Sequence, residues 1–450
     1  MTRFARVLLL IVLASLVVRV GYVLVVVGDE PLKGDQVYYT AQANRLAEGY
    51  GFVEPYDRSL NVRRAGTGPS AEHPPLTAVV LAPVAWVANR LPWVDADTRR
   101  GDIHAPAFRM TFAILGALTV ALVGLVGREV RGERVGLVAA ALAAISPSLW
   151  VNDGLVMSET LTVLAVALTL YLAYRYRRAP TLLTGFGLGA ACALAALARA
   201  EMVLLVPCLA LPAVLLGPTA TNEATAPAAT WRSRLARALV VLAATAIVAG
   251  PWVVFNLTRF EDPTYLSTND GGTLLGANCD GSYFGTSAGL WQLNCLPLDV
   301  SGDRSQVSTE YRHLAFDYIR SESGRVPAVV LIRVARLWNA YRPFDMVWYN
   351  DGEGREPWIS RLAIWSFYPL VVLALGGVVV LRRSWSKLWP LLVLIGIVTV
   401  VAMATYGLAR LRAPAELSLV VLAAVAIDAG WRRLSAKTPP SEDPAVHCAT

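Results

Sequence analysis

About ten long apolar runs limit what this chain can fold into more than any other feature of it. They lie at roughly 7–27, 107–127, 135–150, 154–174, 181–198, 201–217, 237–257, 359–381, 387–406 and 413–430. A bilayer core is crossed by about 20 mainly apolar residues in helix. Inside lipid a helix satisfies its own backbone hydrogen bonds, whereas an open sheet edge cannot. The runs therefore predict an all-α polytopic membrane protein with about 10 transmembrane helices, or 11–12 if extra segments cross. Composition agrees, since only 16% of the 450 residues are charged, against roughly 25% in soluble domains.

The first run reads as a retained span. Its apolar part is longer than the roughly 7–15 residues of a signal core, and no small-x-small cleavage site follows it. With the N-terminus (Arg3, Arg6) inside, alternate connections fall inside and are basic: "REVRGER", "YRYRRAP", "WRSRLAR", "RRSWSK" and "WRRLSAK". That is the positive-inside pattern. It predicts a multi-pass protein of the plasma membrane with both termini cytoplasmic. It divides the chain into a first span (1–27), a first outer segment (28–106), membrane helices (107–257), a second outer segment (258–358), C-terminal membrane helices (359–430) and a tail (431–450). The tail's last stretch, "TPPSEDPAVHCAT", reads as disordered, and "GPTATNEATAPAAT" as an inside linker. The net charge of +7 does not indicate a nucleic-acid partner. There are only three lysines, and the arginines gather at the ends of apolar runs.

Of the five cysteines, Cys192 and Cys208 lie in apolar runs and read as small buried hydrophobes, and Cys448 is in the tail. Cys279 and Cys295 share the second outer segment, in an oxidising compartment, and are expected to form a disulfide. No His or Cys pair has zinc-site spacing.

The outer face collects the residues capable of chemistry. Asp35 opens "DQVYYTAQANRLAEG", a helix-forming stretch just past the first span. A carboxylate there favours the helix dipole and is equally placed to be a general base; the sequence leaves both open. In "AEHPPL" two prolines fix a turn that carries Glu72 and His73. "VNDGLVMSET" places Asp153 at a turn and Glu159 inside the next span, where a carboxylate needs a partner or a polar cavity. "LARAEM" carries Arg199 beside Glu201. "YGLARLRAPAE" puts Arg410 and Arg412 in a short outer connection, against the positive-inside trend. An anionic ligand is the natural reason, because a guanidinium grips phosphate with two hydrogen bonds at once.

An Asp in the first outer loop, a "PPL" turn closing that loop, an "SET" acid, an "ARAE" hairpin and a late R-x-R-x-P-x-E occur here in order. Over about residues 20–430 the chain resembles the GT-C superfamily, near bacterial members related to protein O-mannosyltransferases and lipid A aminoarabinose transferases. The stretch "PWVVFNLTRFEDPTYLSTNDGGTLLGANCDGSYFG" is similar to the outer loop of actinobacterial members. The resemblance implies a GT-C fold and transfer of a sugar, mannose or another hexose or pentose, from a polyprenyl-phosphate donor to an extracytoplasmic acceptor. It implies Asp35 as catalytic base, Arg410 and Arg412 on the donor phosphate, and His73 and Arg199 as helpers. Glu72 matches an acid that serves a metal site in some relatives; with Asp153 and Glu159 it is a candidate for an acceptor or divalent-metal site. No other cofactor is implied. "GDQ" lacks the second adjacent acid of some protein mannosyltransferases, so the acceptor stays open among envelope glycan, lipid and protein. The alternative from another class is a carrier or flippase for a charged polyprenyl-linked lipid. It accounts for the arginines and the intramembrane acid, but not for two large outer segments.

Overall fold

The structure, a computed structural model, describes residues 1–28, 30–56, 66–90, 104–216 and 230–435. The end of the tail with Cys448 (436–450) and the linker residues 217–229 lie outside them. Among the described residues the chain is helical, with one isolated bridge between Val53 and Pro69 and no strand.

In chain order the helices are α1 (Arg3–Tyr22, continued by a π turn, Val23–Val27), α2 (Asp35–Ala47), α3 (Leu76–Ala88), α4 (Ala105–Arg131), α5 (Glu133–Ile145), α6 (Pro147–Trp150), α7 (Glu159–Arg178) and α8 (Leu182–Ala198). Then come α9 (Leu211–Leu215), α10 (Trp231–Leu257), α11 (Asp270–Gly276), α12 (Asp280–Tyr283), α13 (Arg304–Ser321), α14 (Val326–Leu337), α15 (Asp345–Gly352), α16 (Pro357–Leu381), α17 (Trp385–Ala404) and α18 (Ala413–Ser435). All ten apolar runs are helical over most of their length. Among the described residues six helical segments are long and apolar enough to cross a membrane, and a seventh if α5 and the 147–154 segment, bent by 60°, count as one span. The expected ten are not all matched, for physical reasons. Helix α7 has Glu159 at one end, Arg175, Arg177 and Arg178 at the other, and threonines and tyrosines between. Helix α8 is only 17 residues long. The run 200–215 is broken into 3-10, π and α turns around Pro207 and Pro212.

Helix α18 is the axis, with 78% of its apolar window buried. It packs against α4, α5, α7, α16 and α17, while α8 lies between α7 and α10. Without a hydrophobic drive between helices in lipid, close approach comes from small residues. Gly377 of α16 lies against the α18 backbone at Leu422, and Gly189 of α8 against the α10 backbone at Val241, with no room for a Cβ at either place. Cys192 is buried as expected; Cys208 instead lies on an exposed helix face.

The basic connections meet at one end of the bundle. Arg178 pairs with Glu129 at 3.3 Å, Arg177 donates to the Ser386 carbonyl at 2.8 Å, and Arg134 and Arg432 flank Asp428 at 3.6 and 2.8 Å. The helices between residues 35 and 90 and between 270 and 352 belong to the other end.

That second region is tied down by specific devices. Asp303 caps α13, accepting from the backbone N–H groups of Ser305 and Gln306 at 2.9 and 3.0 Å, and Gln306 reaches back to complete the box. Arg336 of α14 donates to the carbonyls of Ala288 and Thr286 at 2.5 and 2.6 Å. Arg333 binds the Ala277 carbonyl and the Asn278 side chain. The expected disulfide is present, joining Cys279 to Cys295 with 6.2 Å between their Cα atoms. Closing a loop of that length contributes about 3 kcal/mol in the chain-entropy model. Replacing both cysteines by serine is therefore expected to destabilise the protein by about that amount, read as a lower thermal midpoint in detergent. An unchanged midpoint would mean that the two arginines hold the loop alone.

Candidate active site

Five chain segments converge on one guanidinium. Arg410 sits in the 3-10 turn (Ala409–Arg412) that joins α17 to α18. Its Nη1 lies 3.3 Å from Asp35 Oδ2, 3.2 Å from Glu353 Oε1 and 3.7 Å from Glu159 Oε1. Each acid has a second basic side chain beside it. Arg199 reaches Glu159 at 3.1 Å and Glu201 at 2.6 Å. Arg355 reaches Glu353 at 2.6 Å. His73 Nε2 is 3.9 Å from Asp35 Oδ1, and its ring stacks on Tyr39 and meets Tyr38 edge-on. Tyr406 completes the group, with its hydroxyl 3.5 Å from Arg410 Nη2.

Local sequence explains these positions. Gly34 has φ 58°, a left-handed conformation that glycine adopts without strain; it turns the chain so that Asp35 becomes the first residue of α2. The next residue, Gln36, cross-links the site: its amide donates to the Glu353 carbonyl at 3.0 Å and accepts from the Val156 N–H at 3.1 Å. The Pro74–Pro75 turn delivers His73 just before α3. Arg355 also donates to Asn152 at 3.1 Å, which ties the 151–154 turn to the same group.

The three acids are not equivalent. The Asp35 side chain is 37% exposed, against 2% for Glu159 and 14% for Glu353. Burial pushes the Asp35 carboxyl up, but the Arg410 guanidinium and His73 outweigh it, and Asp35 lies below the usual carboxylate range. At Glu353 burial wins over Arg410 and Arg355, so its carboxyl is raised. The site thus offers one ionised, reachable carboxylate beside a cation held in place by two more deeply buried acids.

The other sequence candidates separate from this group. Asp153, grouped in sequence with the acceptor or metal acids, does not join it. It is the buried counter-ion of Arg19, 2.7 Å away in the α1 span, and it also accepts from Thr160 at 2.8 Å. Breaking a buried pair by removing one partner costs about 3–5 kcal/mol. Asp153→Ala is thus expected to lower stability by that amount, measured by thermal unfolding, while ligand affinity of the folded fraction stays unchanged. Glu72 accepts from Tyr56 at 2.8 Å, and neighbouring Arg304 is bound to Glu54 at 3.0 Å. Arg412 lines the same cleft as Arg410, but its guanidinium is committed to Glu416 at 2.8 Å, to the Leu337 carbonyl at 2.6 Å and to the face of Phe367. Of the two arginines, Arg410 is the one with a buried N–H, Nε, left without a partner.

Sequence reasoning missed Glu353 and Arg355. Their signal was present in "NDGEGREPW", an acid between two glycines followed at once by an arginine, at the mouth of a span. The residues do not suit a metal. Among the described residues no three His, Cys, Asp or Glu side chains are grouped to hold one. The carboxylates alternate in space with guanidiniums, so each negative charge is already opposed.

The family model described as dolichyl-phosphate-mannose-protein mannosyltransferase matches residues 100–255. No curated protein matches the sequence. Among solved structures, the apo oligosaccharyltransferase of Archaeoglobus fulgidus superposes with a TM-score of 0.56 at 15% identity, covering 96% of this chain and 51% of that one. The same organism's AglB, in complex with an inhibitory peptide and a dolichol-phosphate, gives 0.55 at 15% identity, with the same coverage. The chain spans about half the length of these structures. In fold, then, this chain is similar to the archaeal oligosaccharyltransferase structures, and residues 100–255 match the mannosyltransferase family model.

Proposed function

We propose that the protein is a membrane glycosyltransferase that moves a sugar from a polyprenyl-phosphate donor to a hydroxyl of an envelope glycan, lipid or protein. The observation that carries this reading is the single guanidinium of Arg410, bound to an ionised, partly exposed Asp35 on one side and lining a cleft on another. An arginine beside a base is what phosphate departure and hydroxyl attack need together.

In this mechanism the donor phosphate takes its place at Arg410. Asp35 accepts the proton of the acceptor hydroxyl. The acceptor oxygen bonds to the anomeric carbon as the bond from that carbon to the phosphate oxygen breaks, through an oxocarbenium-like state. Both electrons of the broken bond leave with the polyprenyl phosphate, whose growing charge the guanidinium offsets. Asp35 then gives its proton to water. His73 and Arg199 keep Asp35 and Glu159 in register. Two likenesses support the lipid-linked donor. The matching family is described by its use of dolichyl-phosphate-mannose, and a protein of similar fold is solved with a dolichol-phosphate.

The site lies at the bundle end opposite the clustered basic connections. By the positive-inside rule it faces outward, with both termini in the cytoplasm and the protein in the plasma membrane. The direct displacement is tested by product stereochemistry. The product should carry the anomeric configuration opposite to the donor's, with no glycosyl ester on Asp35. Retention of configuration would overturn the mechanism.

A further inference from the structure

Beyond Arg410 lies a cleft of about 540 Å³, including the space open to solvent, between the 147–152 turn, α15, α16 and the start of α18. Its lining contains four polar atoms that are buried and have no hydrogen-bond partner: Asn339 Oδ1, Asn350 Oδ1, Glu416 Oε2 and Arg410 Nε. Asn339, Asn350 and Glu416 are only 2%, 8% and 1% exposed, so they are built into the wall. Buried polar groups in folded proteins are nearly always paired. Four unpartnered polar atoms on residues that line one cleft mark a place where something else supplies the partners.

The chemistry of the orphans limits what that is. Glu416 is held by Arg412 through one oxygen; the other can only accept. The two asparagine side chains present acceptors as they stand, and an amide can also turn to donate. A phosphate brings acceptors alone and leaves Glu416 unsatisfied. An ammonium group meets Arg355, Arg410 and Arg412 around the same cleft, against the single Glu416 carboxylate on its wall. A neutral group rich in hydroxyls fits, since each hydroxyl both donates and accepts. The apolar side chains of Val151, Met346 and Ile359 supply surface for the C–H faces of such a group.

We infer that this cleft is the glycosyl subsite, in which Asn339, Asn350 and Glu416 read the ring hydroxyls of a neutral, uncharged sugar. The inference rests on the donor reading given above, and it makes these three residues determinants of specificity. Positions 339 and 350 are suited to substitution. Asn339 has φ 53°, so Asn339→Gly removes the side chain at a backbone position that glycine tolerates. Asn350 is near the end of a short helix, where alanine fits.

The test measures binding of four probes to the full-length protein in detergent: bare polyprenyl phosphate, polyprenyl phosphomannose, polyprenyl phosphoglucose, and a polyprenyl phosphate bearing a 4-amino-4-deoxy pentose. At least one neutral-sugar donor should bind about tenfold or more tightly than the bare carrier, as one or two added hydrogen bonds imply. The amino sugar should show no gain. Asn339→Gly and Asn350→Ala, each checked for an unchanged thermal midpoint, should erase the gain and leave the bare carrier's affinity unaltered. If the bare carrier binds but no neutral sugar improves on it, the subsite inference is overturned while the donor reading stands. A larger gain from the amino sugar, or variants that keep the gain, overturns it as well, and the cleft then holds water. If even the bare carrier fails to bind, both readings fall.

Discussion

Asp35→Asn is expected to lower turnover by about 10²–10⁴ while donor affinity stays within a few-fold of wild type. The substitution keeps the size of the side chain and its place at the start of α2, and removes only the capacity to take a proton. Burial of the carboxyl is opposed by Arg410 and His73, which hold it below the usual carboxylate range. Wild-type activity should therefore persist into acid, with its acidic limb below the ordinary aspartate value. Glu159 and Glu353 cannot stand in for Asp35. One is 2% exposed; the other is bound to Arg355 at 2.6 Å as well as to Arg410. Normal turnover by Asp35→Asn, assayed with saturating donor, would remove Asp35 from the chemistry.

Arg410→Gln should have an effect of similar size. Loss of a donor aimed at developing charge typically costs about 10²–10³ in rate, and affinity for the donor should fall with it. The substitution also leaves Asp35, Glu159 and Glu353 facing one another without the cation between them. With Arg410 gone, burial acts on Asp35 less opposed and its carboxyl rises. In the proposed mechanism ionised Asp35 is the active form, so the acidic limb should move to higher pH in the residual activity of this variant. Arg410→Lys keeps a charge but loses the two-pronged grip, so it should restore part of the rate. A pH profile that does not move would mean that Arg410 and Asp35 are not coupled as their 3.3 Å separation implies.

Much of the frame was legible because lipid imposes a simple rule. A chain that must bury its backbone polar groups without water has to be helical over each apolar run, and all ten runs are, over most of their length. Which runs cross was harder to read. Charges at the ends of α7 and prolines within 200–215 shorten or break the apolar stretch, and packing against α18 decides their fate. The site was legible in part for the same reason. Asp35, His73, Glu159, Arg199 and Arg410 are polar, titratable side chains placed near the ends of apolar runs, and the structure brings all five together.

What sequence could not give was pairing across hundreds of residues. Arg19 looks like an isolated fault in the first span until the fold sets it beside Asp153, 134 positions away. Asp153, in turn, belongs to stability rather than to the site. Glu353 and Arg355 sit in a loop whose acid-and-base signal does not say what they face; in the fold Glu353 completes the ring of acids around Arg410, with Arg355 as its second partner. Arg412 follows Arg410 by two residues, and a turn of 3-10 helix is enough to send it into the core toward Glu416 and Phe367. The orphaned acceptors of Asn339, Asn350 and Glu416 come from three separate elements.

A glycosyltransferase consumes its lipid-linked donor, whereas a carrier moves it across the membrane intact. The two are separated in detergent micelles, where no second leaflet exists. Purified protein is incubated with labelled polyprenyl-phosphate sugars and envelope acceptors. Glycosyl transfer predicts that at least one donor yields free polyprenyl phosphate and glycosylated acceptor in equal amounts. Donors left intact in micelles, with the same protein moving the labelled lipid across a vesicle bilayer, would refute transfer and assign the site to transport.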